Sequence, residues 1–600
     1  MPGWTLVDTH PTQGRVFQRP LDVTELCFLW DGFFNGTADS SHHYELRLSN
    51  GARDAHIFSE ANIARAWVST KRRFPLAGAL VRGADNAPLR VATDSKADDS
   101  SGFASEPHFI VREHDLAVLR PCDIVFGQVT DAEEAQQHAA AILQGPRLLS
   151  EESLVQLHVF RETGAERTDV LHLMILVAHC VTDGTATRTF ARCLLDTLAR
   201  GGGPESGQVP LEERLAMAIS LVDLEPGHLC SLSPGIRRWR RAIGTVIFQL
   251  RMNMTQGGHT LPCRLTRSTP HTAARPGVVV STSLTPAQTV VVIASCRLHG
   301  ITFGNAYLAL AQVAMTRVLY RRYLRGEISE EEWTYRRRQP HINGGPLSLR
   351  RYLDKAWFEN GGGGEFMLCS SLYIYQLPFM TLGSTAERHK NVLSDGAPPF
   401  PDLLSFDRFL HRARLVKKQA TSLFNHPLFL ELTRAAYLDY IRITRLRALR
   451  WMQRTETAAV HGTHNSDEDK VLAVTDNPTV WAHGGSSLGN VDLMSPSEYP
   501  LPPIHPLSPF CPTPHPAKAG YVTPPPPSDS EAETMAKIAV ENLRVHLHTP
   551  PAELYLGANT SRGRMNMFVH YDGNVFEEGI VREWLDEVRE AVLWYLGRTQ

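Results

Sequence analysis

The sequence predicts an α/β (α+β) fold of two halves, each a mixed sheet flanked by helices, and three observations carry that prediction. Strand-like runs alternate with helix-like runs up to about residue 200, a Gly-rich break follows, and the strand–helix alternation restarts near Gly277. The halves are placed at 1–225 and 277–600, with residues 226–276 as a crossover or linker helix region. At 600 residues with 42% hydrophobic and 21% charged residues, the chain can bury a large core.

The first half opens on Gly14–Gly51, which reads as loops and short strands. Ile57, Ala61, Ala64 and Val68, flanked by Phe58 and Trp67, then form a helical stripe that stops before Pro75. His108–Val111 and Leu154–Phe160 read as strands around a helical Asp131–Leu143. Val170–Ala178 is a nearly unbroken apolar run with one His, the pattern of a strand covered on both faces. It breaks at once into His179-Cys-Val-Thr-Asp183-Gly184, and from Thr185 apolar residues return at helical spacing.

A neutral imidazole delivered to the end of a rigid strand suits general base catalysis, because its ordinary pKa lies near working pH. Asp183 is placed to fix the turn, and Gly184 leaves the backbone without a Cβ where another segment or a substrate must approach. Cys180 adjoins His179 along the chain and is expected to point away from it, packed inward. No cysteine or histidine spacing forms a metal ligand set.

After GGGPESGQVP the segment SPGIRRWRRAIGTVIFQLRMNM reads as a helix whose Arg237, Arg238, Arg240 and Arg241 make a solvated face. The second half begins with VVVSTSL as a strand, a helix opened by Thr285-Pro286 and closed by Gly300, and another from Thr302 to about Tyr323. Gly361–Gly364 is a loop, since no Lys-Ser/Thr follows it. Phe366–Gln376 reads as a strand and Leu403–Met452 as largely helical. Leu501–Glu531 is a proline-dense loop. Arg564–Tyr571, the Asp572-Gly573 turn and a helix buried along Ile580, Trp584, Val588, Ala591 and Tyr595 close the chain.

Gly485-Ser486-Ser487-Leu488-Gly489 satisfies G-x-S-x-G, so one open reading makes Ser487 the nucleophile of a serine hydrolase. The prolines that follow argue against the helix such an elbow requires.

His179-Cys-Val-Thr-Asp183-Gly184 resembles the active-site motif of the chloramphenicol acetyltransferase-like superfamily, which includes BAHD acyltransferases and peptide-synthetase condensation domains. Arg73-Phe74-Pro75-Leu76 and the closing strand, turn and helix resemble the same superfamily, so the likeness runs from about Phe74 to Leu596. The chain lacks the D-F-G-W-G of BAHD enzymes, and Ala178 stands where condensation domains carry a second His. It is therefore most similar to fungal secondary-metabolite O-acetyltransferases of the trichothecene 15-O-acetyltransferase type.

The resemblance implies two similarly folded halves with a channel between them, and His179 as the base that moves an acyl group from acetyl-coenzyme A or another acyl-coenzyme A to a hydroxyl of a small metabolite such as a terpenoid alcohol. By the same likeness, HINGGPLSLRRYL supplies Arg350 as a bidentate partner of Asp183, and Ser486, Ser487 and Gly489 line the channel, the two serines as donors to a developing oxyanion. A carrier-dependent condensation enzyme and a non-catalytic binding protein are the further alternatives.

Net charge is only −2, which gives no strong electrostatic pull toward nucleic acid or an anionic membrane. No apolar run is long enough to span a bilayer, and the amino terminus lacks the regions of a secretion signal. With nine unpaired-looking cysteines, a cytoplasmic monomer without a permanently bound cofactor is expected.

Overall fold

Apolar and β-branched runs form the central strands of the first half, Val155–Glu162 and Val170–Ala178. A computed structural model describes residues 3–10, 14–49, 56–91, 103–163, 169–202, 209–263, 279–382, 396–442, 479–502, 507, 537–550 and 552–598. Its earlier strands are β1 (Thr5–His10), β2 (Gly14–Pro20), β3 (Asp39–Leu48), β4 (Leu80–Gly83), β5 (Pro107–Arg112), β6 (Ile124–Val129), β7 (Val155–Glu162) and β8 (Val170–Ala178). The later ones are β9 (Val280–Ser283), β10 (His341–Ser348), β11 (Ser370–Leu377), β12 (His483–Asn490), β13 (Glu498–Tyr499), β14 (Ile538–Leu547), β15 (Leu554–Ser561) and β16 (Arg564–Tyr571).

These strands make three sheets. Two are six-stranded and mixed, ordered β13-β14-β3-β8-β7-β6 and β11-β10-β12-β15-β16-β9. The third, β1-β2-β5-β4, is a small antiparallel sheet that the sequence did not announce. β8 runs antiparallel between β3 and β7, and all nine of its residues are buried, as its continuous apolar run requires.

The helices Glu60–Arg73 and Gly184–Ala199 pack on each other through the edge of Trp67 against Phe190, 5.7 Å between ring centroids. The buried face of the first is Asn62, Ile63, Ala66, Trp67, Thr70 and Lys71, turned from the expected stripe of Ala61, Ala64 and Val68 because the larger Ile63 and Trp67 take the core side. The helix Ala132–Gln144 lies against the sheet through His138 stacked on Phe160 of β7, and the long helices Phe303–Leu324 and Glu578–Leu596 fill a second core around Trp584.

Gly14–Gly51 departs from expectation. It holds a helix, Val23–Trp30, continued by a wide turn at Asp31–Asn35, and then the ten-residue β3. Asp22 starts this helix: its Oδ1 accepts from Thr24 N and Glu25 N at 2.8 and 3.0 Å, and the Glu25 carboxylate accepts from Asp22 N at 2.8 Å. β3 hides in the sequence because Ser41, His42 and His43 are buried on it, so no apolar alternation marks the strand.

The division at residue 277 is also too simple. β13 and β14, late in the chain, complete the first sheet beside β3, and the first core takes in Leu349, Phe366 and Tyr437. Of the predicted helical stretch Leu403–Met452, Phe406–Phe424 and 429–442 are helical, and the rest beyond 442 lies outside the described residues. The proline-dense loop lies outside them from 503 onward, apart from Leu507, as does most of GGGPESGQVP.

Replacing Asp22 with Ala is expected to cost about 0.5–2 kcal/mol, measured as a lower urea midpoint at constant slope. A loss within about 0.3 kcal/mol would show that this cap does not hold the helix.

Candidate active site

His179 leaves the end of β8 in a single 3-10 turn, His179–Val181. Its amide donates to Ala38 O at 3.0 Å, which ties the turn to the start of β3. Nδ1 lies 2.7 Å from Thr182 O. A carbonyl can only accept, so Nδ1 carries the proton and Nε2 of the neutral ring keeps its lone pair. Phe28 stacks on the imidazole at 4.1 Å and 13°, while the residue stays partly exposed. Burial, the largest influence, lowers the His179 pKa from its ordinary 6.5, with backbone carbonyls and the charges of Asp183 and Asp39 acting the other way.

Asp183 serves three neighbours. Oδ1 caps the helix Gly184–Ala199, accepting from Thr185 N and Ala186 N at 3.0 Å each. Oδ2 accepts from Arg350 Nη2 at 2.8 Å and from Cys369 N at 2.9 Å. The bridge therefore uses one guanidinium nitrogen rather than the expected two. The same Nη2 also donates to Met367 O at 2.8 Å, and Nη1 turns to Gly362 O, so the fork is shared among three acceptors. With both carboxylate oxygens committed, Asp183 has no free lone pair with which to act as a base.

Gly184 begins the helix, and a Cβ built there meets nothing within 4 Å. Among the described residues no other segment approaches that position. Cys180 is 2% exposed, and burial pushes its thiol up to about 12, so it is not a nucleophile at neutral pH. Among the described residues no group of three His, Cys, Asp or Glu could hold a metal ion.

Ser486, Ser487 and Gly489 stand on β12 in the second sheet. Tyr555 OH donates to Ser486 Oγ at 2.8 Å, and Ser487 lies beside Gly304 at the start of Phe303–Leu324. No hydrogen bond or ion pair among the described residues joins these serines to the His179 turn. Nor is a nucleophile elbow formed: Ser487 sits inside a strand, a bulge at Gly489 follows, and Val491–Leu493 makes only one 3-10 turn. A depression of about 400 Å³ lined by Arg414, Lys417, Lys418, Thr421, Ser422 and Asn425 shares no residue with either group.

Two contributors went unseen in the sequence. Phe28 belongs to the helix Val23–Trp30, which the Asp22–Glu25 capping box could have disclosed. Asp39, paired in register with Ala178, receives both Arg147 Nε and Nη2 at 2.7 and 3.0 Å and so anchors the other flank of the turn. No local pattern announces that pair, because its members are 108 residues apart.

No family sequence model matches the chain, and neither does any curated protein. Solved structures do. A trichothecene 15-O-acetyltransferase from Fusarium sporotrichioides is similar with a TM-score of 0.61 at 12% identity, over 99% of this chain and 98% of that one. The condensation domain of the monacolin K polyketide synthase gives a TM-score of 0.54 at 10% identity, over 96% and 97% of the two chains. An epimerization domain of tyrocidine synthetase gives 0.51 at 12% identity, over 98% of each. The chain thus shares its overall fold with these acetyltransferase, condensation and epimerization structures.

Exchanging Arg350 for Met strands the buried Asp183 carboxylate, and a loss of about 3–5 kcal/mol is expected on chemical unfolding. Removing both partners, as Asp183→Ala with Arg350→Met, is expected to cost less than the sum of the single changes by at least about 0.5 kcal/mol. Strict additivity would show that the two side chains do not support each other.

Proposed function

We propose that this chain, with the fold of the acyltransferase and condensation superfamily, is an O-acyltransferase that moves an acyl group, by preference acetyl, from acyl-coenzyme A to a hydroxyl of a small lipophilic metabolite. The observation that carries the reading is the proton arrangement of His179: Nδ1–H is held by Thr182 O, and the lone pair of Nε2 belongs to a ring that is fixed yet partly accessible.

In this reaction Nε2 takes the proton of the acceptor hydroxyl as its oxygen attacks the thioester carbonyl carbon. The tetrahedral intermediate collapses, the C–S bond breaks, and the imidazolium returns the proton to the departing thiolate. Arg350 and Asp183 hold the turn, and the Phe28 stack holds the ring plane. Gathering both substrates beside one base removes much of the entropic barrier. Ser486 and Ser487 belong to the proposal as channel-lining groups. A second reading, condensation from a carrier-bound donor, is favoured by the full-length likeness to a condensation domain, and a carrier-linked pantetheine thioester used in parallel with acyl-coenzyme A separates the two.

The test is release of free thiol from a series of acyl-coenzyme A donors with a panel of terpenoid and simple alcohols. His179→Ala is expected to lower turnover by about 10²–10⁴-fold with the fold intact; unchanged release would remove His179 from the mechanism.

The acid limb gives a second check. Activity requires the unprotonated ring, so kcat/KM is expected to hold level as pH falls to the ordinary histidine value of 6.5 and to drop only below it. Phe28→Ala, which admits water to the ring face, is expected to shift that limb to higher pH. A limb already centred above 6.5 in the unaltered protein would contradict the assignment.

A further inference from the structure

The helix Gly184–Ala199 carries a cation into the interior without a counter-charge. Arg188 is 2% exposed, and its Nε and Nη1 are buried with no hydrogen-bond partner. Burial, the largest influence on the guanidinium, lowers its pKa; the one group acting the other way is the Tyr44 phenol, and no carboxylate among the described residues engages it. A buried charge left in that state is strongly unfavourable unless something completes it.

The side chains within reach of that charge are unfilled as well. His42 and Tyr44 stand two apart on β3 and so on one face of its sheet. Both are buried, and His42 Nδ1 and Tyr44 Oη have no hydrogen-bond partner. The Arg188 charge acts on each of them, adding to burial at His42 and opposing it at Tyr44. Their neighbours across the strands are Ile175 and Leu173 on β8 and Val545 and Leu543 on β14, whose side chains accept no hydrogen bond.

Arg192 lies one turn further along the same side of the helix. It is partly exposed, and its Nη1 donates to Met494 O at 3.2 Å. Asp196, another turn on, is already taken: its carboxylate accepts from Arg200 Nε at 2.9 Å and from Leu501 N at 2.8 Å. A guanidinium can only donate, and a phenol and an imidazole N–H can donate beside it. Donors of this kind, gathered on an apolar floor, are complementary to an oxyanion. His42 is three residues along β3 from Asp39, which pairs with Ala178, so the set stands about 10 Å from the His179 turn.

We propose that Arg188, Tyr44 and His42 form a subsite for one oxyanion group, carboxylate or phosphate, of a small molecule that enters past Arg192. The subsite is read by binding and stability, so it is independent of the acyl-transfer reading, which stands or falls with His179.

The test compares the unaltered protein with Arg188→Met and Arg188→Lys, by urea unfolding and by melting temperature in potassium chloride, acetate and phosphate of equal ionic strength. Arg188→Met removes a buried charge that has no partner, so its urea midpoint is expected to rise at constant slope. Acetate and phosphate are expected to raise the melting temperature of the unaltered protein above that in chloride, by a margin that Arg188→Met loses and Arg188→Lys keeps in part. Two ligand pairs, followed by calorimetry, then locate the anion: coenzyme A against pantetheine, and the hydroxy acid lithocholate against its methyl ester. In one pair the anionic member is expected to bind about tenfold or more tighter, a difference that Arg188→Met erases. Three results would overturn the proposal: a lower urea midpoint for Arg188→Met, an anion margin as large in Arg188→Met as in the unaltered protein or absent from both, or stabilisation by inorganic anions with no difference in either pair, which is an adventitious ion only.

Discussion

One carboxylate holds the site together. Asp183 caps the helix that leaves the His179 turn with one oxygen, and with the other it receives Arg350 and the amide of Cys369, segments that reach it from the far side of 160 residues or more. Arg350 is 3% exposed, so this contact lies out of water, where an unpaired charge on either side is costly. A helix start, a strand end and a later turn thereby share one fixed point, and the imidazole is carried on it.

The same point explains the division of labour within the motif. A carboxylate with both oxygens engaged cannot accept a substrate proton, which in the proposed reaction leaves that step to the histidine. The ring is oriented by Thr182 O and Phe28, and its polarity is set by burial, which disfavours the charged form. Asp39 and Arg147 brace the other flank, so the turn is held between two ion pairs that do no chemistry themselves.

The sequence disclosed those features that have a local signature. Val170–Ala178 is apolar throughout because the strand is covered on both faces, and the break into His179–Gly184 marks its end. Caps at Thr285 and Thr302 and the Ile580–Tyr595 stripe were legible for the same reason. Arg350 came through family likeness, and its one-nitrogen geometry did not, since the competing carbonyls of Met367 and Gly362 are visible only in three dimensions. β3 escaped because buried histidines and serines erase its alternation, and β14 because pairing across 500 residues leaves no local trace. The arginine face of Pro234–Met254, expected to be solvated, is partly turned to the body: Arg240 reaches Glu431 and Arg241 reaches Glu225, pairings across 191 and 16 residues that no local pattern announces.

The ring of His179 is neutral, with its free lone pair on Nε2. Nitrogen-15 chemical shifts of histidine-labelled protein, with the His179 signal among the 26 histidines identified by its loss in His179→Gln, read that state directly. A protonated Nδ1, an unprotonated Nε2 and a titration midpoint below 6.5 are expected. A proton found on Nε2 at neutral pH, or a midpoint above the ordinary histidine value, would contradict it.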